Sequence, residues 1–545
     1  MTTADPLVLG VDQGTSATKA ILVDAAGETV ARASASLAQR HPAPGMVEQD
    51  GEELWRSVRD AVSACLAGAP PGRVVAVGLS VQRESLILWD RASGAPLSPL
   101  VSWQDRRGTD LCARLAASGA APVVRRISGL PLDPMFSAAK AAWLLDHHGR
   151  ENSRTSVRTN DRLGGRLGGQ LGGRLGGLCL GTVDSWLLYR LGAGHVIEVG
   201  SASRTQLMDV RERRWSPDLL ELFGIPEETL PAIVPSAAPS AAPSAAPSAA
   251  PSAAPSAAPS AGPHADAAAL HPSLAGVPVS AVLGDSHAAL FAHAAGRPGR
   301  VKVTYGTGSS VMGLADQGTD GDEGLCLTIG WQDEAPAYAL EGNILAAGAT
   351  ITWLAEVLGT EPEELARLAT RGRRGAVHLV PAFGGLGAPW WDDQAVAVMT
   401  GFGLGTGRED LARAAVDSVA LQVGDVVAAL ERAAGPVDEL LADGGPTANA
   451  DLMQWQADVT GRAVRVARRP ELSALGAAHL AGVSSGVWSR RELSGLPRHG
   501  RCYTPGLPVC ERRRALAEWH SAVARARHRT SRSGGAEAEA SDRGS

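Results

Sequence analysis

Two short polar turns carry residue types that could bind phosphate groups and a divalent cation. The first turn, with the sequence DQGTS, lies between two apolar runs near the N-terminus. Gly14 lets the backbone approach a ligand closely, and Thr15 and Ser16 offer hydroxyls and turn amides to phosphate oxygens, with Lys19 adding a cation nearby. Asp12 is suited to Mg²⁺, which binds through few protein carboxylates and keeps several waters. The competing interpretation is an ordinary hairpin with a capped turn.

A related turn, with the sequence YGTGSS, lies between two apolar runs in the middle of the chain. The two strand–turn–strand units open the two halves of the chain, which predicts a duplicated domain with both turns facing one nucleotide. Neither turn contains the P-loop pattern, and the chain has no strand-linked dinucleotide fingerprint. A further turn, Asp443–Asn449, has small residues that suit an adenine ring or a phosphate lying against the backbone.

Charged and aromatic side chains follow three other predicted strands. Arg83 and Glu84 follow the strand 73–80, Trp103 ends another strand, and Asp285 begins a helix directly after an apolar strand. Open α/β sheets bind ligands at such strand ends, and an acid at a strand-to-helix junction is a candidate general base. The competing interpretations are a surface ion pair for Arg83 and Glu84 and a helix N-cap for Asp285.

Length, charge and cysteine usage favour a cytoplasmic enzyme. The 545 residues predict two domains with additional segments. The 51 basic and 57 acidic side chains give a net charge of −6, which predicts no strong attraction to nucleic acid. The six cysteines form no C-x-x-C pair, as expected for reduced thiols. We find no secretory signal pattern and no apolar run long enough for membrane insertion.

Two low-complexity tracts interrupt the pattern. Leu-Gly-Gly repeats occupy 162–178 and Pro-Ser-Ala-Ala repeats occupy 235–263. Their compositions predict a flexible insert and a semi-extended, disordered linker, and we assign no chemistry to either. Elsewhere, a three-strand meander is predicted at the N-terminus, with Asp50 as the N-cap of a helix from about 52 to 66.

At the level of the whole chain, the sequence resembles the FGGY carbohydrate kinases, and within them the glycerol kinases most closely. The matching stretches, in chain order, are Asp12–Ser16, Gln82–Glu84, Trp103–Gln104, Asp133–Ser137 with Lys140 and Trp143, Gly181–Asp184, Gly284–Asp285, Tyr305–Gly308, Ala339–Gly342, Gly384–Pro389 and Asp443–Gly445. They extend from about residue 7 to 485, broken only by the two repeats, and their shared order is more specific than any single match.

The resemblance implies an α/β fold of two duplicated ribonuclease-H-like domains of the actin/hexokinase type, with ATP and sugar meeting in an inter-domain cleft. The expected division is 1–295 for the polyol or sugar and phosphate, 296–490 for the nucleotide, and 491–545 for a C-terminal extension that is disordered at its end. The implied partner is a small polyol or sugar, and a homo-oligomer is left open.

The resemblance also implies roles for individual residues. Asp12 would serve Mg²⁺, Asp285 would take the proton of the attacking hydroxyl, and Arg83, Glu84 and Trp103 would hold the polyol. The residues implied for phosphates and nucleotide are Gly14, Thr15, Ser16, Lys19, Thr307, Gly308, Gly348, Gly445 and Asn449. The reaction is then in-line phosphoryl transfer from Mg-ATP, catalysed mainly by positioning and charge neutralisation.

Three departures from the glycerol kinase pattern bear on the substrate. Met135, Ser286 and Ser310 stand where glycerol kinases have Tyr, Gln and Phe around the polyol. The first loses a hydroxyl partner and the other two enlarge the pocket. Because an unpaired buried polar group costs about 1–3 kcal/mol, we expect either glycerol or a larger polyol or ketose. The loop that binds fructose bisphosphate in bacterial glycerol kinases is also absent.

Two functions of other classes remain to be weighed at this stage. One is an ATP-dependent conformational switch of the same fold, like actin or the chaperone ATPases, and the other is a pseudo-kinase scaffold. Arg83, Glu84, Trp103 and Asp285 argue against the switch, which needs no polyol pocket. Retention of Asp12 and Asp285 argues against the scaffold.

Overall fold

The computed structural model describes residues 5–69, 73–156, 177–237, 265–294, 297–319, 324–496 and 498–528. Almost all of the two low-complexity tracts, and the predicted disorder at the end of the C-terminal extension, lie outside these ranges. In the described part of the chain, no helix combines the length and apolar character needed to cross a bilayer.

The first half of the chain is built on a mixed six-stranded sheet. Its strands, in order across the sheet, are Ala265–Asp266, Pro278–Gly284, Arg73–Val81, Pro6–Gln13, Ala17–Asp24 and Thr29–Ser36. The last three form the predicted antiparallel meander, while Pro6–Gln13 runs parallel to Arg73–Val81. Pro6–Gln13 is buried along most of its length, as expected for an apolar run covered on both faces.

The second half repeats this arrangement in a seven-stranded sheet. Its strands, in order across the sheet, are Cys326–Gln332, Pro336–Ile344, Ser309–Ala315, Arg300–Tyr305, Glu439–Asp443, Ala463–Ala467 and His499–Tyr503. Arg300–Tyr305 pairs antiparallel with the strand after its turn and parallel with Glu439–Asp443, as Pro6–Gln13 does in the first sheet. The duplicated pattern predicted from the two turns is therefore present in the strand order.

Short strands complete the framework around these sheets. They are Glu48–Gln49, Leu86–Asp90, Leu100–Val101, Leu178–Thr182, Val196–Glu198, Met208–Asp209, Arg214–Trp215, Ala232–Val234, His378–Val380 and Val398–Thr400.

Helices pack on both sheets. They are Gly51–Ala67, Thr109–Ala117, Ala121–Ser128, Ser137–Ser156, Val183–Arg190, Val199–Ser203, Pro217–Phe223, Asp285–Ala294, Gly348–Val357, Pro362–Ala369, Arg408–Ala434, Ala450–Thr460, Leu472–Ser484, Arg490–Gly495 and Val509–Ala526. Asp50 is the N-cap of the first helix, because its side chain accepts hydrogen bonds from the amides of Glu52 and Glu53 at 2.9 and 3.0 Å.

Two helices connect the halves at their centre. Leu472–Ser484 lies on the first sheet and also packs against Asp285–Ala294. Glycine permits this close approach: a Cβ added at Gly78 would overlap the carbonyl oxygen of Ala477, and one added at Gly476 would overlap that of Ala288. The position of Asp285 therefore depends on backbone-to-helix contacts that no larger residue allows.

The chain leaves and re-enters the described structure at one sheet edge, on either side of residues 238–264. Ala237 forms a bridge with Ala281, and Ala265 pairs with Val279. Because Arg73–Val81 occupies the other edge of Pro278–Gly284, both contacts lie on the same edge. The two ends of the segment are thus held near each other.

Candidate active site

The first polar turn joins Pro6–Gln13 to Ala17–Asp24 and lies against the side chain of Trp103. The Gly14 amide donates to the carbonyl of Ala17 at 3.1 Å, which closes the turn. The indole Nε1 of Trp103 donates to Thr15 Oγ1 at 3.0 Å. A residue predicted to bind phosphate and one predicted to bind polyol are therefore in direct contact.

Asp12 and Asp285 lie close enough for their charges to interact. Burial raises the pKa of Asp12 to about 6, and the negative charge of Asp285 acts in the same direction. A hydrogen bond from Ser80 Oγ at 2.8 Å and the cation of Lys19 oppose this rise in pKa. Lys19 is paired directly with Asp12 across the hairpin. Two strand ends thus bring two carboxylates to one place, with Lys19 beside Asp12.

Arg83 links Asp285 to the second domain. Its Nη1 and Nη2 donate to the two carboxylate oxygens of Glu341, each at 2.8 Å, and its Nε donates to Asp285 Oδ1 at 3.1 Å. The Glu341 side chain is fully buried, whereas that of Asp285 is 39% exposed. The buried Glu341 therefore fixes the Arg83 guanidinium, and this guanidinium in turn holds the partly exposed Asp285 carboxylate.

Arg204 extends this network to Glu84. Its Nε donates to Glu84 Oε1 at 2.5 Å, and its Nη1 lies 3.0 Å from Glu341 Oε2. Burial alone would raise the pKa of Glu341, but the charges of Arg83 and Arg204 hold this pKa well below its usual range. The side chains thus form a series of alternating charge, in the order Glu84, Arg204, Glu341, Arg83 and Asp285.

Glu84 adopts a backbone conformation that is unusual for a residue with a side chain. Its φ is 61°, and left-handed conformations of non-glycine residues typically cost about 1–3 kcal/mol. Ser137 Oγ donates to the Glu84 carbonyl at 3.0 Å. The strained turn directs the carboxylate to Arg204, and such strain is common at binding sites.

An apolar cluster lies beside this charged network. Met135 and Phe136 are buried with Leu130 and Cys326, and the rings of Trp103 and Trp391 pack against them. Trp391 comes from the long loop of the second domain, so the cluster contains residues of both halves. It provides an apolar wall of the kind that contacts the carbon backbone of a small ligand.

Lys140, which belongs to a matched stretch but had no predicted role, holds this wall in place. Its Nζ donates to the carbonyl of Met135 at 2.6 Å and to that of Ser102 at 3.2 Å. Burial lowers the pKa of Lys140 to about 7. The side chain therefore connects the segments before Trp103 and at Met135 from inside the protein.

Ser286 and Ser310 occupy different surroundings. The Ser286 amide donates to Asp285 Oδ1 at 2.6 Å, and its side chain is partly exposed. The Ser310 hydroxyl accepts from Lys302 Nζ at 3.0 Å and donates to Glu341 Oε1 at 2.8 Å. Ser310 is thus part of the charged network, a role that its small size did not predict.

The second turn lies at the N-terminus of the helix Gly348–Val357. The Gly348 amide donates to the carbonyl of Gly306 at 2.9 Å, and the amides of Ala347 and Ala349 donate to the carbonyl of Thr307 at 2.9 and 3.0 Å. A Cβ at Gly308 would overlap the carbonyl oxygen of Ile344. Thr307, Gly308 and Gly348 are therefore brought together, as predicted for residues that share a ligand.

The turn after Glu439–Asp443 lies next to the second turn. Gly444 has a φ of 97°, and a Cβ there would overlap the carbonyl oxygen of Tyr305. Gly445 begins the short 3₁₀ turn that follows, and the Asn449 side chain accepts from the amides of Asp451 and Leu452, each at 3.1 Å. Asn449 thus serves as a helix N-cap, which leaves its amide NH₂ for other contacts.

The two polar turns were predicted to face one nucleotide, which requires no contact between them. Across the described ranges, no hydrogen bond or ion pair joins residues 14–16 to residues 306–308. Likewise, among the residues that the structure describes, no group of three or more His, Cys, Asp or Glu side chains is arranged to hold a metal ion.

Sequence reasoning assigned no role to the three residues that organise the charged network. Glu341 and Lys302 stand in strands that are otherwise largely apolar, and Arg204 follows a short buried helix. A fully buried charge must be paired. Charges inside apolar strands were therefore the available signal, although the sequence alone did not say which residues pair.

Together, the duplicated sheets and the carboxylates at their strand ends define a two-domain α/β kinase of the actin/hexokinase type. Residues 7–292 match the N-terminal domain of the FGGY family of carbohydrate kinases, and residues 301–485 match its C-terminal domain. The chain belongs to the FGGY family of carbohydrate kinases.

Its relatives extend over nearly the whole chain. An apulose kinase of Pectobacterium atrosepticum is 38% identical over 532 residues, covering 96% of this chain and 99% of the relative. A glycerol kinase of Aromatoleum aromaticum is also 38% identical over 532 residues, covering 95% and 98%. A Plasmodium falciparum glycerol kinase crystallised with ADP has a TM-score of 0.82 at 25% identity, covering 97% of this chain and all of that structure.

These comparisons confirm the predicted family, fold and kinase activity. A xylulose kinase from Brucella ovis, with a TM-score of 0.76 at 22% identity, has the same fold. Membership in the family implies that the chain uses ATP to phosphorylate a small polyol or sugar. The chain is therefore a carbohydrate kinase, as predicted.

Proposed function

We propose that the protein transfers the γ-phosphoryl group of Mg-ATP to a hydroxyl of a small uncharged polyol or ketose, with Asp285 as the general base. The observation that carries this proposal is the Asp285 carboxylate, 39% exposed and held 3.1 Å from Arg83 Nε at a strand end. A carboxylate in this position can accept the proton of an attacking hydroxyl.

In the proposed reaction, Asp285 takes the proton as the substrate oxygen attacks the γ-phosphorus, and ADP leaves. A positioned general base is typically worth about 10²–10⁴-fold in rate. Arg83 and Glu84 hydrogen-bond the neighbouring hydroxyls, and Trp103 packs against the carbon chain. The apolar cluster around Met135 limits the access of water to the reacting atoms.

Asp12 is the proposed protein ligand of Mg²⁺. Burial and the nearby charge of Asp285 both raise the pKa of Asp12, and a divalent cation bound there would stabilise the ionised carboxylate. Mg²⁺ neutralises charge on the β- and γ-phosphates during phosphoryl transfer. One protein carboxylate is sufficient, because this ion keeps most of its other positions for water and phosphate.

The remaining predicted residues are proposed to bind the nucleotide. Those of the first turn and its flank, for the transferred phosphate, are Gly14, Thr15, Ser16 and Lys19. Those of the second domain, for the other phosphates and the nucleoside, are Thr307, Gly308, Gly348, Gly445 and Asn449. Their support is the clustering of each set at the end of its own sheet.

The substrate is proposed to be uncharged and longer than glycerol. Glu341 and Glu84 already neutralise the charges of Arg83 and Arg204, so neither guanidinium offers an uncompensated positive charge to the carboxylate of a sugar acid. Met135 and Ser286 stand where glycerol kinases have Tyr and Gln, which favours four- or five-carbon compounds. Glycerol remains the second candidate, because an apulose kinase and a glycerol kinase are equally similar to this chain.

A substrate panel with coupled detection of ADP tests the proposal. The panel contains glycerol, erythritol, xylulose, ribulose, apulose and gluconate. We expect a higher kcat/KM for at least one four- or five-carbon neutral compound than for glycerol, and the lowest value for gluconate. Efficient phosphorylation of gluconate would contradict the proposed charge preference, and inactivity with every neutral compound would contradict the proposed function.

A further inference from the structure

One polar side chain next to the charged network has no role in the reaction described so far. Asn343 stands directly opposite Ser310 in the antiparallel pair Ser309–Ala315 and Pro336–Ile344. Directly opposed residues lie on the same face of a sheet, with Cβ atoms about 4.5–5.5 Å apart. Asn343 and Ser310 are therefore a polar cross-strand pair on the same face of the sheet as Glu341.

Contacts of Asn343 connect it to the proposed polyol ligands. Its Nδ2 donates to Glu341 Oε1 at 3.2 Å, and its Oδ1 accepts from Arg204 Nη2 at 3.5 Å. Arg204 in turn binds Glu84. Asn343 is thus separated from Glu84 by a single guanidinium.

Asn343 retains hydrogen-bonding capacity after these contacts. A carboxamide has two N–H donors and an oxygen with two lone pairs, and the two contacts use one donor and one lone pair. Glu341 and Arg204 are buried, whereas Asn343 and Ser310 are partly exposed. The unused donor and lone pair can therefore serve a ligand at the edge of the network.

A backbone hydrogen bond holds Asn343 in place, so its side chain can favour one orientation of a bound ligand. Its carbonyl accepts from the Ala388 amide at 2.9 Å, within the loop that also supplies Trp391 to the apolar wall. A polar group held rigidly beside an apolar wall is typical of sites that fix the orientation of a small ligand.

We propose that Asn343, with Ser310, binds the hydroxyl or carbonyl group at the end of the substrate farthest from the phosphorylated carbon, and so selects substrates longer than three carbons. The inference rests on the proposed function. It assigns a specificity-determining residue to the Arg204 side of the charged network, whereas Asp285 is bound by Arg83.

The test compares Asn343→Ala with wild type, using xylulose or ribulose and glycerol as substrates. We expect the ratio of kcat/KM for the five-carbon ketose to that for glycerol to fall about tenfold, the value of one hydrogen bond. The loss should appear mainly in KM, because the contact is the same in ground and transition states. Gln394→Ala, which removes an exposed carboxamide from the neighbouring loop, should leave the ratio unchanged.

A second measurement needs no variant and therefore does not depend on folding. Wild-type enzyme should phosphorylate a deoxy analogue, which lacks the hydroxyl farthest from the phosphorylated carbon, about tenfold less efficiently than the parent ketose. An equal loss for both substrates in Asn343→Ala, or a deoxy analogue as good as its parent, would overturn the inference while leaving the kinase function intact. Inactivity of wild type with all neutral compounds would instead overturn the proposed function.

Discussion

Asp285 and Arg83 illustrate how a charged side chain is held ready at a protein surface. Removing one partner of a buried ion pair destabilises a protein by more than the intact pair stabilises it, because the remaining charge is buried without compensation. Glu341 anchors Arg83 through two hydrogen bonds. Arg83 can therefore present its Nε to Asp285 without moving towards solvent.

We predict that Asp285→Asn lowers kcat by at least about 100-fold while nucleotide affinity stays close to that of wild type. The amide can still accept a hydrogen bond from Arg83, but it cannot take the proton of the attacking hydroxyl. Steady-state kinetics and calorimetric titration with ADP measure the two effects. Asp60→Asn, at an exposed position of the first helix, is the matched control. A kcat above about a tenth of wild type would show that Asp285 is not the base.

Refilling the pocket should move the substrate preference towards glycerol. For the combined change of Met135→Tyr, Ser286→Gln and Ser310→Phe, we expect a shift in specificity of about 10–200-fold, since pocket-filling effects have this size. The ratio of kcat/KM for glycerol to that for the best longer substrate measures it.

The contacts of Ser310 add a cost to that prediction. Replacing its hydroxyl removes the hydrogen bond that it accepts from the buried Lys302, which costs about 1–3 kcal/mol, whereas Glu341 keeps Arg83, Arg204 and Asn343 as partners. The triple variant should therefore have a lower Tm than Met135→Tyr/Ser286→Gln, which serves as its control. If wild type already prefers glycerol to every longer substrate, the idea of an enlarged pocket is wrong.

At the scale of residues, sequence reasoning found the groups at strand ends but not their buried partners. Arg83, Glu84 and Asp285 directly follow apolar strands, and this local pattern can be seen in the sequence. Glu341 lies 258 positions from Arg83 in the chain, and nothing local indicates that the two side chains meet. Only the packing of one sheet against the other decides that pairing.

At the scale of elements, the helix Leu472–Ser484 determines where Asp285–Ala294 lies. The two helices touch through Gly476 and Ala288, at a point where a methyl group has no space. A shift of one helix therefore shifts the other, and with it the carboxylate at its first residue.

We predict that Gly476→Ala destabilises the protein by about 1–3 kcal/mol, the usual cost of inserting volume into a packed core. It should also reduce kcat, because small displacements of a catalytic group can cost about 100-fold. Thermal unfolding and steady-state kinetics measure the two effects.

Gly424→Ala provides the matched control for this change. Gly424 also lies inside a helix, but an added Cβ would meet only Val459 at an ordinary 3.9 Å. It should stabilise the protein by about 0.5–1 kcal/mol through helix propensity. A Gly476→Ala protein as stable and active as the control would mean that the helix contact does not position Asp285.

The elements themselves were predictable where burial imposes a pattern. The apolar runs of the two sheets and the Asp50 cap gave clear signals, and the structure contains those strands and that helix. The edge strand His499–Tyr503 gave none, because its sequence is polar and it joins the sheet by backbone pairing with Ala463–Ala467. The duplicated sheets were predicted from the two turns, whereas their contact through Gly78 and Gly476 was not.

At the scale of the whole molecule, the two sheets meet through a shared apolar cluster and through the Arg83–Glu341 pair. The cluster combines residues of both, including Val8, Met312 and Leu472. The proposed substrate and nucleotide sites therefore draw on both halves, so we expect neither half alone to catalyse the reaction.

We predict that deleting Pro239–Ser260 leaves activity and Tm close to wild type. The deletion leaves five residues between Ala237 and Ala265, enough to span about 16 Å. The partners of those two residues are two positions apart on one strand, a separation of about 7 Å. Loop-closure entropy also changes slowly with length.

Thermal unfolding and the coupled assay check this deletion. The control is a variant in which the same residues are replaced by a Gly/Ser segment of equal length, so that length and composition are separated. A large fall in Tm for both variants would show that the repeat packs against the fold.

The closeness of Ala237 and Ala265 affects how the length of the repeat between them can vary among alleles. Repeated codons are prone to gain and lose copies during replication, and each Pro-Ser-Ala-Ala unit added or lost keeps the reading frame. Because the exit and return points are fixed on one strand, such alleles would differ in length without altering the catalytic framework. Natural populations of this gene should therefore vary in repeat number between these two points.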